Sequence, residues 1–274
     1  MGGRKLMCQY GLSSSQPTQG NEAERKSVKD REKGEPCPPC RQREELPVIL
    51  KGHRSPVLRR LEGVDMALQR SKEANLRLAL AHIGGRVVAR GEPFSFGALG
   101  RAPPARGACQ AGLAIANGDL GGGGGGGLCQ LANLIHYLVL HTPMEVVELH
   151  HHSDALFPDD RRRVPFGTGT SIFYPHVDYR FCNTTAQPVQ LRLWISEGDL
   201  CGELRSERLF PCRYRLVEEG SHFVKEGEAY YRVSRVYRRI IDRESGRDLG
   251  RELLLSNHSR VLYDPALIPP DQLR

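Results

Sequence analysis

GDLGGGGGGGLCQLANLIHYLVLHTPMEVVELHHHS, residues 118–153, carries the strongest local signals in the chain. Leu131, Leu134, Ile135, Leu138 and Val139 recur at three and four residues and predict a helix over 129–141. Pro143 ends it. Cys129, Asn133, His136 and Leu140 fall on another face of that helix. Cys129 and Asn133 are neighbours there, whereas Cys129 and His136 are two turns apart, roughly 10 Å along the axis. Residues 144–152, MEVVELHHH, alternate like a strand. Alternation puts His150 and His152 on one face and His151 on the other.

Outward from this centre the chain divides into a tail and one domain. Residues 1–45 are polar, with little to bury, and are expected to be a disordered tail. Cys37 and Cys40 at its end could bind zinc or cycle as a dithiol. No strand, helix or second cysteine pair accompanies them. From Pro47 to Gly85 the pattern reads as helical, with stripes at Leu58, Leu61, Val64, Leu68 and at Leu76, Ala79, Leu80, Ile83. Residues 86–96 read as a strand, a turn and an aromatic anchor. Residues 112–120 read as a hairpin turning at Asn117-Gly118. Residues 157–167 are a loop, and β-like runs follow from 170 onward. The expected fold is α+β over 46–274: N-terminal helices and one central helix after a Gly-rich loop. These pack on mixed or antiparallel strands, with a β-rich C-terminal part.

The net charge of +7 comes mainly from arginine and would attract anions. No RNA-binding signature or zinc-finger spacing is present, so nucleic acid is not an expected partner. The arginine-rich run 232–251 reads as a solvated strand face. No stretch approaches the ~18 apolar residues of a membrane helix. The start lacks the apolar core of a signal peptide. Eight cysteines without framework spacing then point to free thiols in a reducing cytoplasm.

A cysteine at a helix start meets outward backbone N–H groups and a positive dipole, which favour its thiolate. Glycines before it can form a nest of N–H donors for an oxyanion. A strand-borne histidine is then the expected base. His150 and His152 could also share a metal ion, but no third and fourth ligand is evident, and no metal site or cofactor is assigned. No Gly-Lys-Ser/Thr follows the glycines, which excludes a P-loop.

These residues resemble the VanW family. The resemblance spans roughly 55–210 and rests on GEPFSF, GGGLCQLANLIHYLVLHTPMEVVE, HHHSDALFPDDRR, VPFGTGTSIFYPHVDYRF and TTAQPVQLRLW. Members occur in glycopeptide-resistance clusters and as stand-alone bacterial proteins, with no assigned molecular activity. Carried over by position, the shared motif residues are Gly125, Gly126, Gly127, Cys129, Gln130, His150, His152 and Ser153. Many relatives carry an Asp where Gly169 falls here, which makes Asp178 the substitute orienting group. Gly97 stands where an aromatic often follows Phe-Ser-Phe.

Two readings stay open. In the first, Cys129 is the nucleophile of an amide hydrolase or acyl transferase acting on a peptidoglycan-related molecule. His152 or His150 is its base, and Asp178 orients the base. Gly125, Gly126, Gly127, Gln130, Asn133 and Ser153 bind the substrate. In the second, the same loop and histidines hold an anionic or peptidoglycan-related small molecule, or a metal, without catalysis.

Overall fold

The structure, a computed structural model, describes residues 41–42, 44–58, 66–100, 111–116, 119–124, 126–151, 154–155, 158, 164–173 and 176–274. Cys37, Cys40 and most of the polar tail lie outside the described residues. The elements are β1 (Val48–Pro56), α1 (Met66–Ile83), β2 (Arg86–Val88), β3 (Pro93–Ser95), α2 (Phe96–Gly100), β4 (Ala111–Ala116) and β5 (Asp119–Gly124). Then come α3 (Leu128–Val139), β6 (Glu145–Glu148), β7 (Asp154–Ala155), β8 (Arg180–Cys182), β9 (Val189–Ser196) and β10 (Asp199–Ser206). Three long strands finish the fold: β11 (Cys212–Glu226), β12 (Ala229–Asp242) and β13 (Asp248–Val261).

Strand therefore dominates, which corrects the expected α+β fold with its pair of N-terminal helices. Among the described residues there are thirteen strands and three α-helices. The sheets run β1-β10-β9-β2, β11-β12-β13-β7, β3-β8-β6 and β4-β5. The start of the segment read as helical is strand β1, while Leu61 and Val64 of its first stripe lie outside the described residues. The strand pairs antiparallel with β10, from Val48 opposite Ser206 to Pro56 opposite Asp199. Its burial follows a period of two, broken once by a bulge between Ile49 and Lys51. The partner strand lies far away in sequence, so no local pattern announces it.

The second half of that segment is helical, as α1. Leu76, Leu80 and Ile83 are buried, and Gly85 leaves the helix at φ 78°. The hairpin pairing is present too, with β4 antiparallel to β5 and Ala116 opposite Asp119, while Asn117 and Gly118 lie outside the described residues. β9 and β10 join through Glu197 and Gly198, both at positive φ, the two-residue turn that matches strand twist.

Helices α1 and α3 cover one face of the β1-β10-β9-β2 sheet. Leu76, Ile83, Leu131, Ile135, Leu138, Leu191, Leu200 and Leu204 are fully buried between them. Each such side chain contributes about 2 kcal/mol on leaving water. Gly202 lets α3 sit close, since a Cβ there would lie 2.9 Å from Leu134. On the opposite face, Gln190 bonds the backbone of Gln42, Glu44 and Leu46. Arg192 and Arg205 pair with Glu45. The last residues of the segment read as a tail are thus tied to the sheet.

Candidate functional site

Helix α3 forms where the apolar stripe predicts it, and the stripe is buried. The glycine run before it is not one loop. Gly121–Gly124 belong to β5, and Gly125 lies outside the described residues. Gly126 accepts a hydrogen bond from Asn75 Nδ2 at 3.3 Å. Gly127 caps the helix at φ 96°, and a Cβ on it would lie 2.8 Å from Lys72 and 3.0 Å from Leu76. The last two glycines thus let α3 start against α1. Among the described glycines of the run, Gly121–Gly124 serve strand pairing and Gly127 serves close helix contact.

Cys129 donates its hydrogen bond to the Ile172 carbonyl, 3.7 Å away. Burial pushes its thiol up from the ordinary value, although backbone contacts at Ile172 and Cys129 offset part of the rise. Burial thus works against the low-pKa thiolate expected at a helix start. Gln130 turns the other way, its Nε2 donating to Ser55 Oγ at 2.8 Å and to the Pro56 carbonyl at 2.9 Å. Asn133 accepts from the Thr170 N–H at 2.6 Å, and Gly169 packs against its amide.

The expected strand over 144–152 stops early, as β6 ends at Glu148. The alternation argument thus ends before the histidines. His150 Nε2 lies 3.0 Å from Glu148 Oε1, and its carbonyl accepts from Ser171 N–H at 2.7 Å. His151 Nδ1 lies 3.1 Å from the Gly167 carbonyl. His152 and Ser153 lie outside the described residues. The segment 170–172 therefore runs between α3 and the histidines. Thr170 and Ile172 meet Asn133 and Cys129 on one side, while Ser171 meets His150 on the other. Among the described residues, no hydrogen bond joins Cys129 to an imidazole.

Asp178 sits at the centre of a hydrogen-bond network. Its carboxylate accepts from Ser95 Oγ and Gly97 N–H, both at 2.6 Å, from Tyr179 N–H at 2.7 Å and from Arg180 Nε at 2.8 Å. Burial alone would raise its pKa, but these donors together pull it below the usual carboxylate value. Glu148 extends the network to Arg180 and His150. Sequence reasoning missed Ser95, Glu148 and Arg180. The one available signal was alternation in Val177–Phe181, which puts Asp178 and Arg180 on one face and Tyr179 and Phe181 on the other.

His136 was read only as a residue too far from Cys129 to touch it. It is buried in the structure, with Nδ1 3.2 Å from the hydroxyl of Tyr179 and the two rings edge to face. Burial, then the nearby His151, pushes its pKa down to about 3, so the ring is neutral. It lines a cavity of about 300 Å³ shared with His151, Thr168, the oppositely charged Glu145 and Arg238, and the aliphatic chains of Leu140, Met144, Val146, Leu149, Leu254 and Leu255. Arg238 is held at its edge by Glu252 and by the Thr142 carbonyl. Among the described residues, no group of three or more His, Cys, Asp or Glu side chains converges on a metal position.

The family model for VanW-like proteins matches residues 71–205. The chain is 27% identical over 201 residues to the vancomycin B-type resistance protein VanW of Enterococcus faecalis, covering 73% of each. The stretch 71–205 belongs to the VanW family. It is also 27% identical over 149 residues to the uncharacterized protein YoaR of Bacillus subtilis, covering 54% of this chain and 47% of that one. No solved structure gives a significant match.

The VanW match contains β2 through most of β10, and so holds α3, His136, His151 and Asp178. Arg238, Leu254 and Leu255 lie beyond it. The cavity is therefore closed on one side by the VanW-family core and on the other by the C-terminal sheet. Among the described residues, no helix is long and apolar enough to cross a membrane.

Proposed function

We propose that this VanW-family protein binds a small molecule without transforming it, in the cavity between α3 and the C-terminal sheet. The observation that carries the reading is the buried, neutral His136 ring on the wall of a largely apolar cavity of about 300 Å³. That size and lining, with a few convergent polar groups, suit a small organic ligand. The ring of His136 has Nδ1 engaged by Tyr179, which leaves Nε2 for the cavity. His151 has Nδ1 engaged by Gly167, which leaves its Nε2 likewise. An amide offers both a donor and an acceptor and can satisfy imidazole nitrogens in either tautomer. The ligand class is thus a neutral molecule with an apolar body and an amide group. A peptidoglycan-related amide fits this description and would link the chain to the glycopeptide resistance named for its Enterococcus faecalis relative.

The competing amide-hydrolase reading needs a thiolate at Cys129 and a base beside it. Burial disfavours the first, and no described imidazole bonds the sulfur.

Isothermal titration with short acetylated peptide amides tests the proposal. Saturable binding is expected for the native chain and for Cys129→Ala, and loss of binding for the cavity-filling Leu255→Trp. Circular dichroism would show that the Trp variant keeps its fold. Absence of saturation, or unchanged binding in Leu255→Trp, overturns the proposal. Turnover of the amide that disappears in Cys129→Ala would favour the hydrolase.

A further inference from the structure

The sheet β11-β12-β13 has two unlike faces. One packs on the rest of the molecule through Phe223, Arg232, Ser234, Val236, Asn257 and Val261, all buried. The other presents Arg213, Arg215, Arg235, Arg251, Arg260 and Leu253, all exposed. Residues directly opposite in register share a face, so the outer face can be read row by row. Arg215, Arg239 and Arg251 stand opposite one another across all three strands. The next row is Val217, Tyr237 and Leu253, followed by Glu219, Arg235 and Ser256. Further along come Val224, Tyr231 and Arg260.

Like charges directly opposite destabilise a sheet. Asp248 bonds Arg239 and Glu219 bonds Arg251, which offsets part of that repulsion. Among the described residues, no acid pairs with Arg215 or Arg235. Two tyrosine rings interleave with these cations on the central strand. Tyr231 stacks with His258 at 4.6 Å, and Tyr237 carries the Arg251 guanidinium 4.3 Å from its centre. The face is narrow and long, roughly 45 Å along the strands and roughly 10 Å between the outer strands. Such a ribbon twists along its length. That shape suits a linear polyanion better than a flat lipid surface.

We infer that this outer face binds single-stranded nucleic acid. Guanidinium groups along β11, β12 and β13 take the phosphates. Tyr231 and Tyr237, roughly 20 Å apart on one strand, stack bases. The tyrosines decide for nucleic acid over a polyanion without rings. None of these residues lies in the stretch matched by the VanW family, so the face is separate from the family's motif. It is also separate from the cavity, which opens on the other face of the sheet.

Fluorescence anisotropy with a labelled oligothymidylate of about a dozen nucleotides, across a salt series, tests the inference. Inorganic polyphosphate and phosphatidylglycerol vesicles serve as the other arms. Binding of the oligonucleotide should weaken steeply with salt. The double substitution Arg215→Ala and Arg235→Ala removes two unpaired surface cations. It should weaken binding about tenfold or more and lower the salt slope by about two. Tyr231→Leu should weaken oligonucleotide binding several-fold and leave polyphosphate binding unchanged. Circular dichroism of each variant checks its fold. No oligonucleotide binding at low salt overturns the inference. So does equal response of oligonucleotide and polyphosphate to Tyr231→Leu, or binding to vesicles alone.

Discussion

Cys129 Sγ faces the carbonyl oxygen of Ile172 at 3.7 Å and donates to it. The contact closes the start of α3 against segment 170–172 and uses the thiol as a small buried donor. With its pKa raised by burial, little thiolate is present at neutral pH. Cys129 should therefore react with iodoacetamide more slowly than a free thiol such as N-acetylcysteine at pH 7. Site-resolved mass spectrometry of the alkylated protein measures this. A rate above that of the free thiol would restore the nucleophile reading.

Gly97 and Asp178 form a second matched pair. A Cβ at Gly97 would stand 3.2 Å from both Cγ and Oδ1 of Asp178, where the carboxylate now receives the Gly97 N–H. Asp178→Asn should cost about 2 kcal/mol, the range for hydrogen bonds to a charged group. Gly97→Ala should cost about 1–2 kcal/mol by displacing the same carboxylate. Because both act on one network, the double variant should lose less than the sum. Urea midpoints at pH 7 provide the comparison. The lowered carboxyl pKa adds a pH signature. Its stabilisation is present above the ordinary value of 3.8 and is lost as pH falls below it through the folded value. Asp178→Asn should remove that loss.

His136 sets the behaviour at mildly acid pH. Its ordinary pKa of 6.5 falls to about 3 in the fold, chiefly by burial. Below pH 6.5 the unfolded chain binds a proton that the folded ring refuses, so stability drops until the folded value is reached. The limiting slope is about 1.4 kcal/mol per pH unit for one such group. His141, pushed down to about 4 chiefly by burial, steepens the same limb. Thermal midpoints from pH 7 to pH 4 should fall for the native chain and fall less steeply for His136→Phe. Parallel curves would show that His136 is not buried neutral.

Local patterns were legible where one element carries its own signal. The α3 stripe from Leu131 to Val139, the antiparallel pairing of β4 with β5 and the Gly-Gly stop of α1 all stand as read. The motif around Leu128-Cys129-Gln130 led to the family, because it is contiguous in the chain. Strand β1 was not legible, since only its pairing with β10 makes it a strand. The role of the glycine run was not legible either. A sequence shows that glycine permits close approach, but not what approaches, and here it is Lys72 and Leu76 of α1.

By itself, then, the sequence determined the central helix, the hairpin before it, the β-rich C-terminal part and the kinship to the VanW family. These depend on spacing within a few residues or on a contiguous motif. Only the tertiary structure decided that strand outweighs helix, that Cys129 is a buried donor and that Asp178 clamps Ser95 and Gly97. The same holds for His136 meeting Leu254 and Leu255 in one cavity, and for three arginines aligned in one row. Each of these depends on which distant residue supplies the partner, the desolvation or the charge, and that is set by packing and register rather than by neighbours in the chain.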